Sequence, residues 1–197
     1  MLFGRGFWAA LWQCASVYYA CAALLHFVVP QIFPVRRIQS AERKRGEVER
    51  DAFCSLGPII LKAGIWTIVE VLHDRGLGKL YDGPVNSLLG ISYLLFVILL
   101  LDVLHDTWFY WTHRLLHWKP LYTHVHYMHH RSRSPTAFTG YSFHIIEAAI
   151  VFANEIIVCF LFPIHVELHR AYHMVTSIIH QGGEAPLKTC TSAASFV

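Results

Sequence analysis

Charge is what this sequence has least of. Only 15% of its 197 residues are Asp, Glu, Lys or Arg, against about 25% in ordinary soluble domains. With 55% hydrophobic residues, that shortage excludes a surface bathed wholly in water. A strong basic excess is lacking too. The formal net charge is +3 and no basic stripe with interleaved aromatics occurs, so no nucleic-acid partner is expected. Cysteine is scarce and poorly spaced for chemistry. Cys14, Cys21, Cys54, Cys159 and Cys190 form no CxxC pair and are odd in number, which argues against a disulfide framework or a zinc–thiolate site. They read as small buried hydrophobes. Proline and glycine are absent from Ile91 to Lys119, so nothing interrupts a helix there. No internal repeat or low-complexity tract occurs.

Apolar runs and histidine are what the sequence has in quantity. Phe7 to Val29 is almost uncharged and long enough to cross a bilayer as a retained helix rather than a cleaved signal. Trp8 and Trp12 sit near one end as interfacial anchors. Residues 31–51 carry six basic residues and four acids, which reads as a cytosolic loop. Val85 to Leu104 is a further span with only Asp102 charged, and the segment after it carries Arg114, Lys119, Arg131 and Arg133. Both basic regions share one side only if the chain crosses twice between them. That parity makes Ala52 to Leu72 a span, despite Lys62 and Glu70. Ile145 to Ile164 is apolar but holds Glu147, Asn154 and Glu155. A charge at mid-bilayer costs about 2.5–3.5 kcal/mol even on the mildest scale, so a hairpin that dips in and returns is expected. The fold class is therefore all-α and polytopic: about three spanning helices and a re-entrant hairpin, with cytosolic helices carrying histidine clusters. The expected division is residues 1–84 as an N-terminal membrane hairpin region, 85–184 as the histidine-bearing domain, and 185–197 as a short tail.

Fourteen histidines stand against sixteen Lys plus Arg, and they are clustered. On a helix continuing past Leu104, the residues Asp102, His105, Asp106, Phe109, His113 and His117 fall within about 120° of one another. His113 and His117, at i and i+4, share a face and can converge on one ion. The next cluster is His126, His129 and His130, an HxxHH with His124 just before it. Pro120 can start a helix there and Pro135 can stop it, which would place all three on one face. Five imidazoles from two helices suit a borderline transition metal. A third group, His165, His169, His173 and His180, also falls on one helical face, with Gly182 and Gly183 expected to end that helix. His180 is the preferred metal candidate of the four and His173 the second, while His165 and His169 read as exposed polar residues. A metal transporter would hold its ligands within the spans, near the midplane. These clusters lie beyond the span.

The run from His105-Asp106 to His113-Arg114-Leu-Leu-His117 resembles the first histidine box of the fatty acid hydroxylase/sterol desaturase superfamily. His126-Tyr-Met-His129-His130 resembles its second box. Ser134-Pro135-Thr136, Phe143-His144-Ile-Ile-Glu147 and Ile179-His180-Gln181-Gly182 resemble later elements. The resemblance covers roughly residues 85 to 184 and leans toward the sterol C5-desaturase side. It implies a non-haem di-iron centre on the cytosolic face of the endoplasmic reticulum, held by His113, His117, His126, His129, His130 and His180. His105, Asp106, His124, His144 and His173 are further candidates, as ligands or as partners that orient one. The implied chemistry is O2-dependent hydroxylation or desaturation of a lipid in lipid biosynthesis, with electrons from NAD(P)H through a cytochrome b5-type donor. The family closes its site with a second HxxHH, whereas no histidine follows His180 here. The alternative expectation is thus a shortened, inactive member that acts as a membrane or interaction protein.

Overall fold

The computed structural model of the chain describes residues 3–33, 35–37, 43–184 and 187–189. Eight α-helices run through them: α1 Phe7–Ala23, α2 Val29–Ile32, α3 Glu47–Cys54, α4 Leu56–Asp74, α5 Leu88–Leu116, α6 Lys119–His124, α7 Ile145–Leu161 and α8 Val166–Glu184. Among the described residues, strand structure is confined to two-stranded pairings. β1 (Val35–Arg37) pairs antiparallel with β4 (Leu187–Thr189), and β2 (Leu80–Tyr81) pairs with β3 (Ile164–His165) in parallel. The fold is all-α, and among the described residues three stretches are long and apolar enough to cross a membrane: Phe7–Ile32, Glu47–Asp74 and Leu88–Leu116. The first is continuous because a π-helical turn, Leu24–Val28, joins α1 to α2. Only 11% of the α5 window is buried; Leu88, Leu95, Leu99 and Val103 face outward, as lipid-facing residues do. Of the tail expected over 185–197, only Leu187–Thr189 falls within the described residues; Cys190 does not.

α1, α4 and α7 enclose the core, which includes Ala10, Cys14, Tyr18, Ile59, Ala63, Trp66, Ala148 and Phe152. Small residues on α1 and α4 let those two helices approach closely. A second cluster joins α5, α7 and α8 through Val97, Leu101, Val158 and Tyr172. The hairpin expected within residues 145–164 does not form. α7 runs unbroken through Asn154 and Glu155 to Leu161, because both side chains find partners in the bundle, and α8 folds back beside it to make a two-helix hairpin. Its turn lies beside the loop that joins α4 to α5: Lys79 N–H donates to the Cys159 carbonyl at 2.7 Å, and β2 meets β3 there. Gly78 makes this approach possible. Its φ is +90°, and a Cβ there would lie 2.9 Å from the Cys159 oxygen, so only glycine fits.

The polar residues that weigh against this hairpin in an apolar bundle are buried against protein. Arg170 of α8 pairs with Glu70 of α4 and donates to the Gly4 carbonyl at 2.9 Å. Lys62 of α4 pairs with Glu155 of α7. His169 is 2% exposed, with Nε2 2.8 Å from the Glu155 carbonyl, which corrects its reading as a solvated residue. Burial removes each charge from water, and a partner recovers most of that cost. α8 also continues through Gly182 and Gly183 to Glu184, so those glycines do not end it.

Candidate metal centre

Ser87 caps α5 by accepting from Gly90 N–H at 3.0 Å. The helix then runs uninterrupted for 29 residues, which carries His113 onto its last turn and leaves His117 as its C-cap. Their Nε2 atoms lie 3.0 Å apart. The second cluster is not an α-helix. α6 stops at His124, Val125 takes φ −121° and ψ −65°, and His126–Arg131 form a 3-10 helix. This break turns the chain back over the end of α5, where the His126 ring meets those of His113 and His117 at 4.8 and 4.7 Å. His126 and His130 place their Nε2 atoms 3.0 Å apart. The result is one compact group: His113, His117, His126 and His130 each offer a ligand nitrogen, all within 4.8 Å of one another.

The group is held from beneath. His126 is fully buried, and its Nδ1 lies 2.8 Å from Oε1 of Glu147, itself buried on the first turn of α7. This bond makes Nδ1 the protonated nitrogen and leaves Nε2 free as a donor atom, the usual arrangement behind a metal-bound imidazole. In the sequence alone, Glu147 reads as an interruption in an apolar run. A carboxylate in such a run is itself the signal, because burial there requires a partner. Tyr122 stacks on His117 with ring centroids 5.6 Å apart. Partial burial, then the charge of His126, pushes the His117 imidazole below its ordinary range, so it is neutral at neutral pH.

The remaining candidates divide by place. His129 lies beside the group, its ring 5.3 Å from that of His130 and 5.6 Å from that of His126, with Phe143 at 5.9 Å on another side. His180 lies across Phe109, whose ring is 5.3 Å from His180 and 5.6 Å from His113. His105 Nδ1 is 3.2 Å from the Asn154 amide on α7. His173 is buried against His169, and His144 caps α7 by accepting from Ile146 N–H. His165 reaches the Gly83 carbonyl at 3.0 Å, while Asp106 and His124 are exposed. Neutral imidazole nitrogens fit a transition metal. Buried Glu147 Oε2, with no hydrogen-bond partner among the described residues, is an uncompensated carboxylate edge that a nearby cation would satisfy.

A helical membrane protein with an imidazole cluster at the end of its longest apolar helix is the class that fold and site define. Comparison with known proteins narrows it. A family model described as fatty acid hydroxylase matches residues 96–189. Lathosterol oxidase of Rattus norvegicus is 25% identical over 170 residues, covering 84% of this chain and 56% of that protein. A Delta(7)-sterol 5(6)-desaturase of Gibberella zeae is 27% identical over 179 residues, 87% of this chain and 49% of that protein. A putative methylsterol monooxygenase of Dictyostelium discoideum reaches 37% over 88 residues, 45% of this chain and 32% of that protein. Residues 96–189 thus match the fatty acid hydroxylase family, and the chain as a whole is similar to sterol desaturases and oxidases. It spans about half the length of the curated relatives it matches. No solved structure matches it.

Proposed function

We propose that this chain carries the metal-binding core of a membrane oxidoreductase that hydroxylates or desaturates a lipid of the sterol class. The observation that carries the reading is the group His113, His117, His126 and His130 at the end of a lipid-facing helix. These four residues would hold one iron, and His129 and His180 would serve a second. When bound, non-haem iron supplies O2 activation, which an unactivated C–H bond requires. The protein's own residues do the rest. Glu147 fixes the His126 tautomer, Tyr122 and Phe109 pack on His117 and His113, and α5 sets the depth of the cluster relative to lipid. NAD(P)H, through a cytochrome b5-type donor, supplies two electrons and the lipid C–H bonds the other two; in desaturation both oxygen atoms leave as water, and in hydroxylation one enters the C–H bond while the other leaves as water. The sterol names of the relatives support the substrate class, and the run of basic residues after α5 supports the cytosolic face of the endoplasmic reticulum.

The test is reconstitution of the chain in lipid nanodiscs with ferrous iron, an NADH-coupled donor and a sterol substrate. Oxidised sterol and matching O2 uptake, both abolished by His126→Ala, are expected. An iron-loaded chain that leaves sterol and O2 unchanged overturns the catalytic reading.

A further inference from the structure

One buried polar constellation has no part in the chemistry above. Lys62 is 3% exposed and Glu155 2%, and they form an ion pair between α4 and α7. Trp66 donates its indole N–H to the second Glu155 oxygen at 2.8 Å, so both carboxylate oxygens are engaged. The ammonium is not. It has three N–H donors, and among the described residues one reaches an oxygen. The nitrogen otherwise lies 4.5 Å from the centre of the Phe152 ring and 5.8 Å from that of Trp66.

Lys62 and Glu155 line a pocket walled by Phe109, Phe143 and Phe152, with Asn154 and Ser177 among its polar groups. Its free space is about 30 Å³, room for a hydroxyl group or about two waters and too small for a ring system. Phe109 is shared: it lines this pocket and stacks on His113 of the cluster. A latch between helices does not need such a space, since apolar side chains of similar volume often serve as well as a buried ion pair. What the space offers is chemically narrow. The ammonium is already neutralised by Glu155, so a second carboxylate would meet that residue's charge. A neutral oxygen fits: it accepts from Lys62 and can donate to the Ser177 hydroxyl or the Asn154 amide oxygen.

We propose that this pocket anchors the hydroxyl group of a hydroxylated lipid, with the carbon skeleton running along Phe109 toward the imidazole cluster. The inference rests on the sterol reading and sharpens it: the anchor selects a hydroxysterol over a free fatty acid.

The experiment measures direct binding to the full chain in detergent micelles without added metal, using cholesterol, its 3-deoxy analogue and stearate. Cholesterol should bind roughly tenfold or more tightly than the deoxy analogue, as expected for a hydrogen bond to a charged donor, and more tightly than stearate. In Lys62→Met/Glu155→Leu, which removes both charges together, the ratio of cholesterol to deoxy analogue should fall to about one. Equal binding of the two sterols by the wild type, stearate binding as tightly as cholesterol, or an unchanged ratio in the variant overturns the proposal. Should the variant fail to fold, a cholesterol analogue bearing a photoreactive diazirine beside its hydroxyl decides the matter in the wild type. Crosslinks to Lys62, to 141–143, to 151–155 or to 176–180 support the anchor, and crosslinks confined to segments that do not line the pocket refute it. Failure of the catalytic reading would look different: hydroxyl discrimination persists without turnover.

Discussion

Glu147 matters at the residue scale because it acts through another side chain. Its bond to His126 orients the one imidazole of the cluster that is fully buried. Glu147→Gln should therefore lower metal affinity about 10–100-fold, while His124→Ala, at an exposed site, should leave it unchanged. Competition with a metallochromic indicator measures both. The pH dependence rests on His117. Its folded pKa lies below the ordinary value of about 6.5, and the neutral form binds metal. Occupancy should therefore persist at pH 6.5 and fall at lower pH, as protons displace the ion. Metal content after dialysis at pH 7.5, 6.5 and 5.0 checks this, and loss between 7.5 and 6.5 would contradict it. Much of the cluster was legible at this scale. His113 and His117 are four residues apart on a helix without breakers, so their convergence is local geometry. The partners of Glu147, Lys62 and Glu155 lie 21 to 93 residues away, and no local pattern encodes such pairings.

At the scale of elements, the long α5 followed from its composition, and the second histidine cluster did not. A helix from Pro120 to Pro135 would have satisfied propensity. The chain instead breaks at Val125 and tightens into a 3-10 turn, because His126 must face both Glu147 below and the α5 histidines beside it. Asp51 of α3 then pins residues 132–142. This buried carboxylate accepts from the hydroxyls of Ser132 at 2.7 Å, Thr139 at 3.1 Å and Ser142 at 3.1 Å, with Arg50 beside it. Asp51→Ala would strand those hydroxyls and should cost about 3 kcal/mol of stability. Hydrogen exchange should quicken across residues 132–142, whereas unchanged exchange there would show that α3 does not hold the segment. That the chain turns back was legible from charge cost, but where it turns was not: α7 runs unbroken past Asn154 and Glu155 to Leu161, and α8 makes the return. Glu167, His169 and Arg170 are too polar to return through lipid; α8 returns through protein, where Glu70 and the Glu155 carbonyl receive Arg170 and His169.

At the scale of the whole molecule, the stretch matched by the family model begins at residue 96, yet α1, α3 and α4 complete the structure around the cluster. Tyr18 of α1 hydrogen-bonds the Phe138 carbonyl at 2.8 Å, and Gln181 donates to the Tyr18 carbonyl at 2.9 Å. A fragment beginning at residue 85 should therefore bind metal at least tenfold more weakly than the full chain, by the same indicator assay; equal affinity would confine the site to the matched stretch. The most direct test of the central claim is the metal content of the full chain, purified in detergent from iron-supplemented cells. Stoichiometric bound iron is expected in the wild type, and its loss in His113→Ala/His126→Ala. A folded wild-type chain holding no transition metal, or a double variant holding as much as the wild type, would contradict it.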